Sequence, residues 1–381
     1  MLTGSFIFNI VKSKKDLKGK MVMGNKSNSK FKEFLLKKNI IFSAKRYFID
    51  AMSAMANGLF ASLLVGTILS TLGTQFNIQI LADIGSFAKG VAGPAMAASI
   101  AYALSSPPLV LFSMLAVGAM ANSLGGAGGP LAVFFAAILA SEIGKLVSKE
   151  TKIDILVTPL VTIGVGALFS FTLAPAIGTA ASSFGKLIMW ATELHPFFMG
   201  ILVSVIVGMV LTLPISSAAI CAALGLTGLA GGAAVAGCSA QMIGFAIMSY
   251  KENKASGLVS QGLGTSMLQM GNIVKNPLIW IPPTLAAAIT GPISTCIFKM
   301  QMNGEAIASG MGTCGFVGQI GVYSGWVKDI ASGAKASVTT FDIVGLILIC
   351  FILPAVLSTV FCLIMKKMGL IKENDLKLQD I

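Results

Sequence analysis

The chain has 381 residues, of which 55% are apolar and 11% charged, yet its net charge is +12. So little charge over this length excludes an ordinary water-soluble enzyme, whose loops would be charged. Twelve basic residues against two acidic ones fall within 1–47, so this arm carries +10 of the total. The basicity therefore argues for a positive-inside bias rather than for nucleic-acid binding.

In chain order, Phe6 to Val11 is too short for a signal-peptide core and no small-residue cleavage pattern follows it, so the arm is expected to be retained. Met21 and Met23 leave the start position open. Phe31, Phe34, Leu35, Leu36, Ile40, Ile41 and Phe42 alternate with lysines, as in an interfacial helix; plain disorder is the other reading. Beyond the arm, Gly90–Ser141 and Pro196–Tyr250 contain no Lys, Arg, Asp or Glu. A charge at mid-bilayer costs roughly 2.5–3.5 kcal/mol, so stretches this clean are what lipid selects.

The expected fold is an all-α integral membrane bundle of about 9–10 transmembrane helices with broken or re-entrant segments. Candidate spans are 48–73, 84–104, 107–123, 130–147, 153–178, 197–222, 228–249, 276–298 and 340–367, with a shorter glycine-rich piece at 305–325. Lys366, Lys367, Lys372 and Lys377 place the C-terminus on the cytoplasmic side with the N-terminus, which requires an even number of crossings. Lys145, Lys149 and Lys152 after the fourth candidate agree; Lys251 and Lys254 after the seventh do not. Either one segment between 197 and 249 does not cross or the charge rule fails there, and Gly225, Gly228, Gly231 and Gly232 favour a re-entrant or broken piece near Gly225–Gly237. Further breaks are expected at Gly125–Pro130, Pro159, Pro175, Pro282-Pro283 and the glycines at 312, 315, 318 and 321. Close helix packing explains any one of these. Their recurrence favours a transporter, where broken backbone lines a cavity.

The most specific local pattern is Gln261, Thr265, Gln269, Asn272 and Asn276, spaced four, four, three and four and so within roughly an 80° arc of a helix. Neutral amides suit a hydroxyl-rich ligand. An amphipathic helix at the membrane surface would show the same stripe. Asn122, Gln241 and Gln319 are thinner candidates for solute contact, each also explained as a helix–helix hydrogen bond. Glu193 and His195 form either a titratable ligand pair or a loop-end pair. The six cysteines sit singly in apolar or glycine-rich segments, as small buried hydrophobes do. No Walker A motif, nucleophile elbow or metal-ligand cluster is visible, so no catalytic residue, metal or cofactor is expected and ATP-driven pumping by this chain alone is excluded.

The runs Arg46–Ala56, Gly58–Ile68, Asn276–Pro283 and Gly310–Gly325 resemble the EIIC-like membrane proteins of the bacterial sugar phosphotransferase system. The resemblance is closest to the PfoR-like branch and covers about residues 45–368. It implies a permease component that moves a carbohydrate, or another neutral polar solute, while a separate EIIB protein phosphorylates it. It also implies a homodimer embedded in the lipid of the bacterial cytoplasmic membrane. The division expected is a basic arm 1–47, a permease domain 48–368 and a tail 369–381. No EIIA or EIIB domain is visible, and the arm holds no Cys or His to accept a phosphoryl group. Sugar sites in the family use a Glu and a His among neutral amides, and Glu193 and His195 are the pair to which that role is carried. Two other readings stay open: a PfoR-type membrane sensor that transports nothing, and an ion-coupled secondary transporter.

Overall fold

A computed structural model describes residues 32–378. Residues 1–31, which include Phe31 of the expected arm helix, and 379–381 lie outside the described residues. The arm is helical at 32–37, and Ile40 is buried while Leu36, Ile41 and Phe42 are exposed.

The helices are α1 Lys45–Thr74, α2 Gln79–Gly90, α3 Ala92–Ala103, α4 Pro108–Gly125, α5 Gly129–Val147, α6 Asp154–Thr172 and α7 Ala174–Thr192. They continue with α8 Pro196–Thr212, α9 Ser217–Ala223, α10 Gly228–Met248, α11 Tyr250–Val259, α12 Met270–Lys275, α13 Pro277–Ile297, α14 Val317–Ala331 and α15 Thr340–Lys367. Six stretches among the described residues are long and apolar enough to cross a bilayer: α1, the joined α4–α5, α6, α10, α13 and α15. The protein is an all-α polytopic membrane protein.

Small residues set the packing, because without a hydrophobic force between helices in lipid the contact must come from close backbone approach. Along α1, Gly58 faces the Ala95 carbonyl, Gly66 faces Gly85 and Gly73 faces Ala82, so α2 and α3 together return beside it. Gly93 of α3 meets Gly118 of α4, and Gly166 of α6 meets Val117. In the second half, Gly200 of α8 meets Gly291 of α13, and Gly237 of α10 lies on the Ser204 carbonyl of α8.

One face of the molecule collects the basic ends. Arg46 Nη2 donates to the Leu104 carbonyl (2.5 Å), and Lys145 Nζ donates to the Asn39 and Leu104 carbonyls (3.1 Å each). Lys366 pairs with Glu252 at 3.3 Å, and Lys45 and Lys377 line the same surface depression. Segments 38–46 and 370–378 therefore share this basic face.

Lys149, Lys251 and Lys254 also belong to the basic face, which resolves the crossing count: α8 does not traverse the bundle. It starts beside the end of α13, where Thr295 Oγ1 donates to the Pro196 carbonyl (2.8 Å), and it stops at Thr212 against Gln241. Gln241 lies seven residues, about 10 Å, before the end of α10. The chain then turns through Leu213–Ser216, and α9 heads back to Gly228, which pairs with Met302.

The expected re-entrant piece at Gly225–Gly237 is therefore misplaced by one segment. Gly228–Met248 is one unbroken helix whose glycines serve close packing, and only Gly225 and Gly228 adopt positive φ, at the turn preceding it. Two smaller expectations also change. Pro159 sits inside α6 without ending it, and Pro282 and Pro283 occupy the first turn of a helical stretch, where a missing N–H is tolerated. Cys296 is exposed, unlike the other five cysteines.

Candidate functional site

Three hairpins dip into the bundle and meet beside the middle of α10. The first is α8–α9, with its apex at Leu213–Ser216. The second enters from the same far face: Met302 pairs with Gly228, the chain descends through Ala306–Gly310, turns at Gly312–Phe316 and climbs back as α14. Its return is fixed at the mouth by Asn303 Nδ2 donating to Asp329 Oδ2 (2.9 Å). Gly312 and Gly315 take φ of +54° and +51°, and a β-carbon on either would collide with Cys238 or Ile68, so only glycine fits this apex. The third hairpin, α11 to α12, enters from the basic face.

The apices are tied to one another by hydroxyls and to the α4–α5 turn by a backbone bond. Thr212 and Ser266 share a 2.8 Å hydrogen bond, Thr313 Oγ1 donates to the Gly262 carbonyl (2.5 Å), and the Ser216 N–H donates to the Ala127 carbonyl (3.0 Å). Broken backbone of this kind at membrane depth is stable only where protein or a cavity covers it.

A cavity is present. A space of about 400 Å³ opens between the far half of α1 and the second hairpin, with Thr67, Ser70, Thr71 and Thr74 on one wall and Ser216 and Ser324 among those opposite. Towards the centre it narrows to about 70 Å³, where Leu63, Thr67 and Ser216 are joined by Gly264 and Thr265. On the basic face an open depression of about 970 Å³, lined by Asp50 and Ser53, adjoins, across Ser53 and Leu378, a hollow of about 250 Å³ lined also by Asn57 and Ser260. Asp50, Ser53, Asn57, Thr67, Thr71 and Thr74 recur on one side of α1 at helical spacing. Between the two sets of cavities stand Phe60 and Leu63, within the stretch Phe60–Leu64 that is wound as a π-turn. Such turns re-aim side chains inside a helix and often mark functional positions.

The lining is hydroxyl, carbonyl and apolar side chain. Lys89 enters it with its Nζ donating to Ser70 Oγ (3.0 Å), and Glu305 stands at the mouth, paired with Lys328 at 3.5 Å. Among the described residues no group of three or more His, Cys, Asp and Glu side chains can hold a metal.

The model of the family described as "Phosphotransferase system, EIIC" matches residues 49–378. The chain belongs to this family. Comparisons with curated proteins and with solved structures find no match.

In this EIIC chain the amides singled out from sequence occupy varied surroundings. The stripe is not one helix: Gln261 lies in a π-turn, Thr265 is extended and caps the Met267 N–H, and only Met270–Lys275 returns to α-winding. Gln261 Nε2 donates to Ser249 Oγ (2.9 Å), Gln269 Nε2 to Gln261 Oε1 (2.8 Å), and Asn272 Nδ2 to Gln269 Oε1 (2.8 Å). Of the stripe, Thr265 lines the central cavity.

Gln241 is fully buried, accepting from Trp280 Nε1 (3.0 Å) and donating to Thr284 Oγ1 (3.1 Å). Gln319 is buried behind the second apex with its Nε2 3.3 Å from Ser239 Oγ, while its Oε1 has no hydrogen-bond partner among the described residues. Asn122 is half-buried at the end of α4 beside Gly129. Glu193 and His195 are exposed at the α7–α8 corner, where the His195 ring caps the Phe197 N–H (3.5 Å). The α1 hydroxyls recur at a spacing visible in sequence, but they are diluted there by apolar neighbours.

Proposed function

We propose that this EIIC chain is the membrane permease component of a phosphotransferase-type system for a neutral, hydroxyl-rich solute, a carbohydrate. The observation that carries this is the meeting of three re-entrant hairpins at the inner end of a hydroxyl-lined cavity of about 400 Å³. Hydroxyls and backbone carbonyls exchange hydrogen bonds with sugar hydroxyls one for one, and a site without a buried carboxylate has no need of a cationic solute. Thr67, Ser216 and Thr265 are the contacts proposed at the narrow end, with the Gln319 carbonyl oxygen as a further acceptor once the apex shifts. Asn122, Gln241, Glu193 and His195 act in this reading through packing and capping.

Orientation follows from the basic face, which the positive-inside rule assigns to the cytoplasm together with both termini. A separate EIIB protein, charged by EIIA, would meet the solute there. The wider setting proposed is a homodimer in the bacterial cytoplasmic membrane, with 1–47 as a basic arm.

Uptake of labelled sugars into proteoliposomes, with and without the general phosphotransferase proteins, EIIA and EIIB, tests the reading. Thr67→Leu and Ser216→Leu should each lower uptake about tenfold, the loss of one or two hydrogen bonds plus steric filling. Sugar binding with no uptake under any condition would shift the assignment to a non-transporting sensor.

A further inference from the structure

The segment 370–378 does not trail away from α15; it folds back under the basic-face hairpin and is held there by amides. Asn253 donates from Nδ2 to the Leu376 carbonyl and accepts at Oδ1 from the Leu378 N–H, both at 2.8 Å. Gln269 Nε2 donates to the same Leu376 carbonyl (2.9 Å), and Asn272 Nδ2 donates to the Lys377 carbonyl (2.9 Å). Asn276 Nδ2 reaches the Leu370 carbonyl (3.1 Å) and Asp375 Oδ2 (2.8 Å). Ile371 and Leu376 are 2% and 0% exposed, inserted into the core beside Met270 and Ile273.

Three features of this arrangement point beyond simple anchoring. Its polar bonds run mostly to main-chain groups at the water-facing end of the molecule, so water can replace them when the segment leaves. Leu378 lines both the open depression and the hollow behind it, together with Ser53. The clamping amides also belong to the hairpin whose apex, through Ser266 and Gly262, is bonded to the two hairpins from the far face. Tail, hairpin and central apices are thus linked in series.

We propose that residues 370–378 form a strap that closes the basic-face mouth of the solute path and fixes the basic-face hairpin, and that the mouth opens when the strap is released. This rests on the permease reading for what passes through the mouth, but not for the closure itself. In the strapped state the buried Leu376 and Ile371 side chains set the equilibrium, and the amide chain from Gln261 to Asn272 transmits the strap's position to the apex.

The test uses the full chain in inside-out vesicles, with Cys296→Ser removing the exposed native thiol and Ser260→Cys reporting from the hollow. Labelling by a membrane-impermeant maleimide should accelerate tenfold or more when Leu376→Asp is added or when the chain is ended after Gly369. Labelling of an exposed control, Lys152→Cys, should change less than twofold. Equal rates at Ser260→Cys in the strapped and released proteins would overturn the proposal.

Should both released variants misfold, a disulfide between Asn253→Cys and Leu378→Cys locks the strap instead. It should suppress labelling of the Ser260→Cys thiol and suppress uptake, with uptake restored by reductant, and labelling indifferent to the lock would equally overturn the idea. Because labelling needs no transport, a gain on release in a protein that moves no sugar retires the permease reading and leaves the strap.

Discussion

Lys145 illustrates what single residues decide here. Its side chain is 1% exposed, its ammonium lies 2.8 Å from Glu142 Oε2, and it donates to two carbonyls, one of them at the C-terminal end of α3. A cation at a helix end is favoured by the carbonyls left without intrahelical partners, and Arg46 adds a second to the same Leu104 oxygen. Lys145→Met leaves the Glu142 carboxylate buried and uncompensated, at about 3–5 kcal/mol. Thermal unfolding in detergent should show a clear drop in midpoint for Lys145→Met and recovery of most of it in Glu142→Gln/Lys145→Met. A double variant as unstable as the single one would show that the carbonyl bonds, not the charge pairing, matter. Gln241→Leu should cost about 1–3 kcal/mol, by orphaning Trp280 Nε1–H, while leaving the solute site intact.

At the scale of elements, glycine decides which helices can touch. The β-carbon of a residue at Gly237 would overlap the Ser204 carbonyl, and one at Gly291 would overlap that of Gly200, so α8 is held between α10 and α13 at backbone distance. Gly237→Val should therefore abolish recovery of folded protein or lower its unfolding midpoint sharply. Gly164→Ala, on the α6 surface with nothing within 4 Å, should be neutral or raise stability by up to about 1 kcal/mol through helix propensity. Equal tolerance at both positions would refute the packing argument. The same comparison shows how much of the element layout was legible. Span ends at 147, 249 and 367 follow from hydropathy and lysines and lie within a residue of the helix ends, whereas the glycines around 225–237 look the same in sequence whether they break a helix or pack one. Only their neighbours, Ser204, Met300 and Ser309, tell the two apart.

For the whole molecule, the consequence of an α8 that stops at mid-depth is a fixed sidedness. Single cysteines in place of Lys152 and Lys251 should react with an impermeant maleimide from one side of the membrane, and one in place of Glu305 from the other. Labelling of the 152 and 251 positions from opposite sides would mean that α8 crosses, and the hairpin description would fall. The cavities obey the same geometry: hydroxyl-lined space on the far side, a vestibule on the basic side, and Phe60 and Leu63 between them.

The amino-acid sequence by itself determined the solvent of this protein, its helices and its basic sides, because hydropathy and charge act over about 20 consecutive residues. It also carried the family, through runs spread over most of the chain. The tertiary structure decided what the polar residues do. Gln269 reads as a solute contact in its own segment, yet its amide bonds a carbonyl at Leu376, 107 residues away. Thr67 and Thr71 lie within an apolar span, yet they face the cavity. A hydrogen-bonding group is assigned by whatever fills its remaining valences, and in a bundle those partners come from helices far apart in the chain.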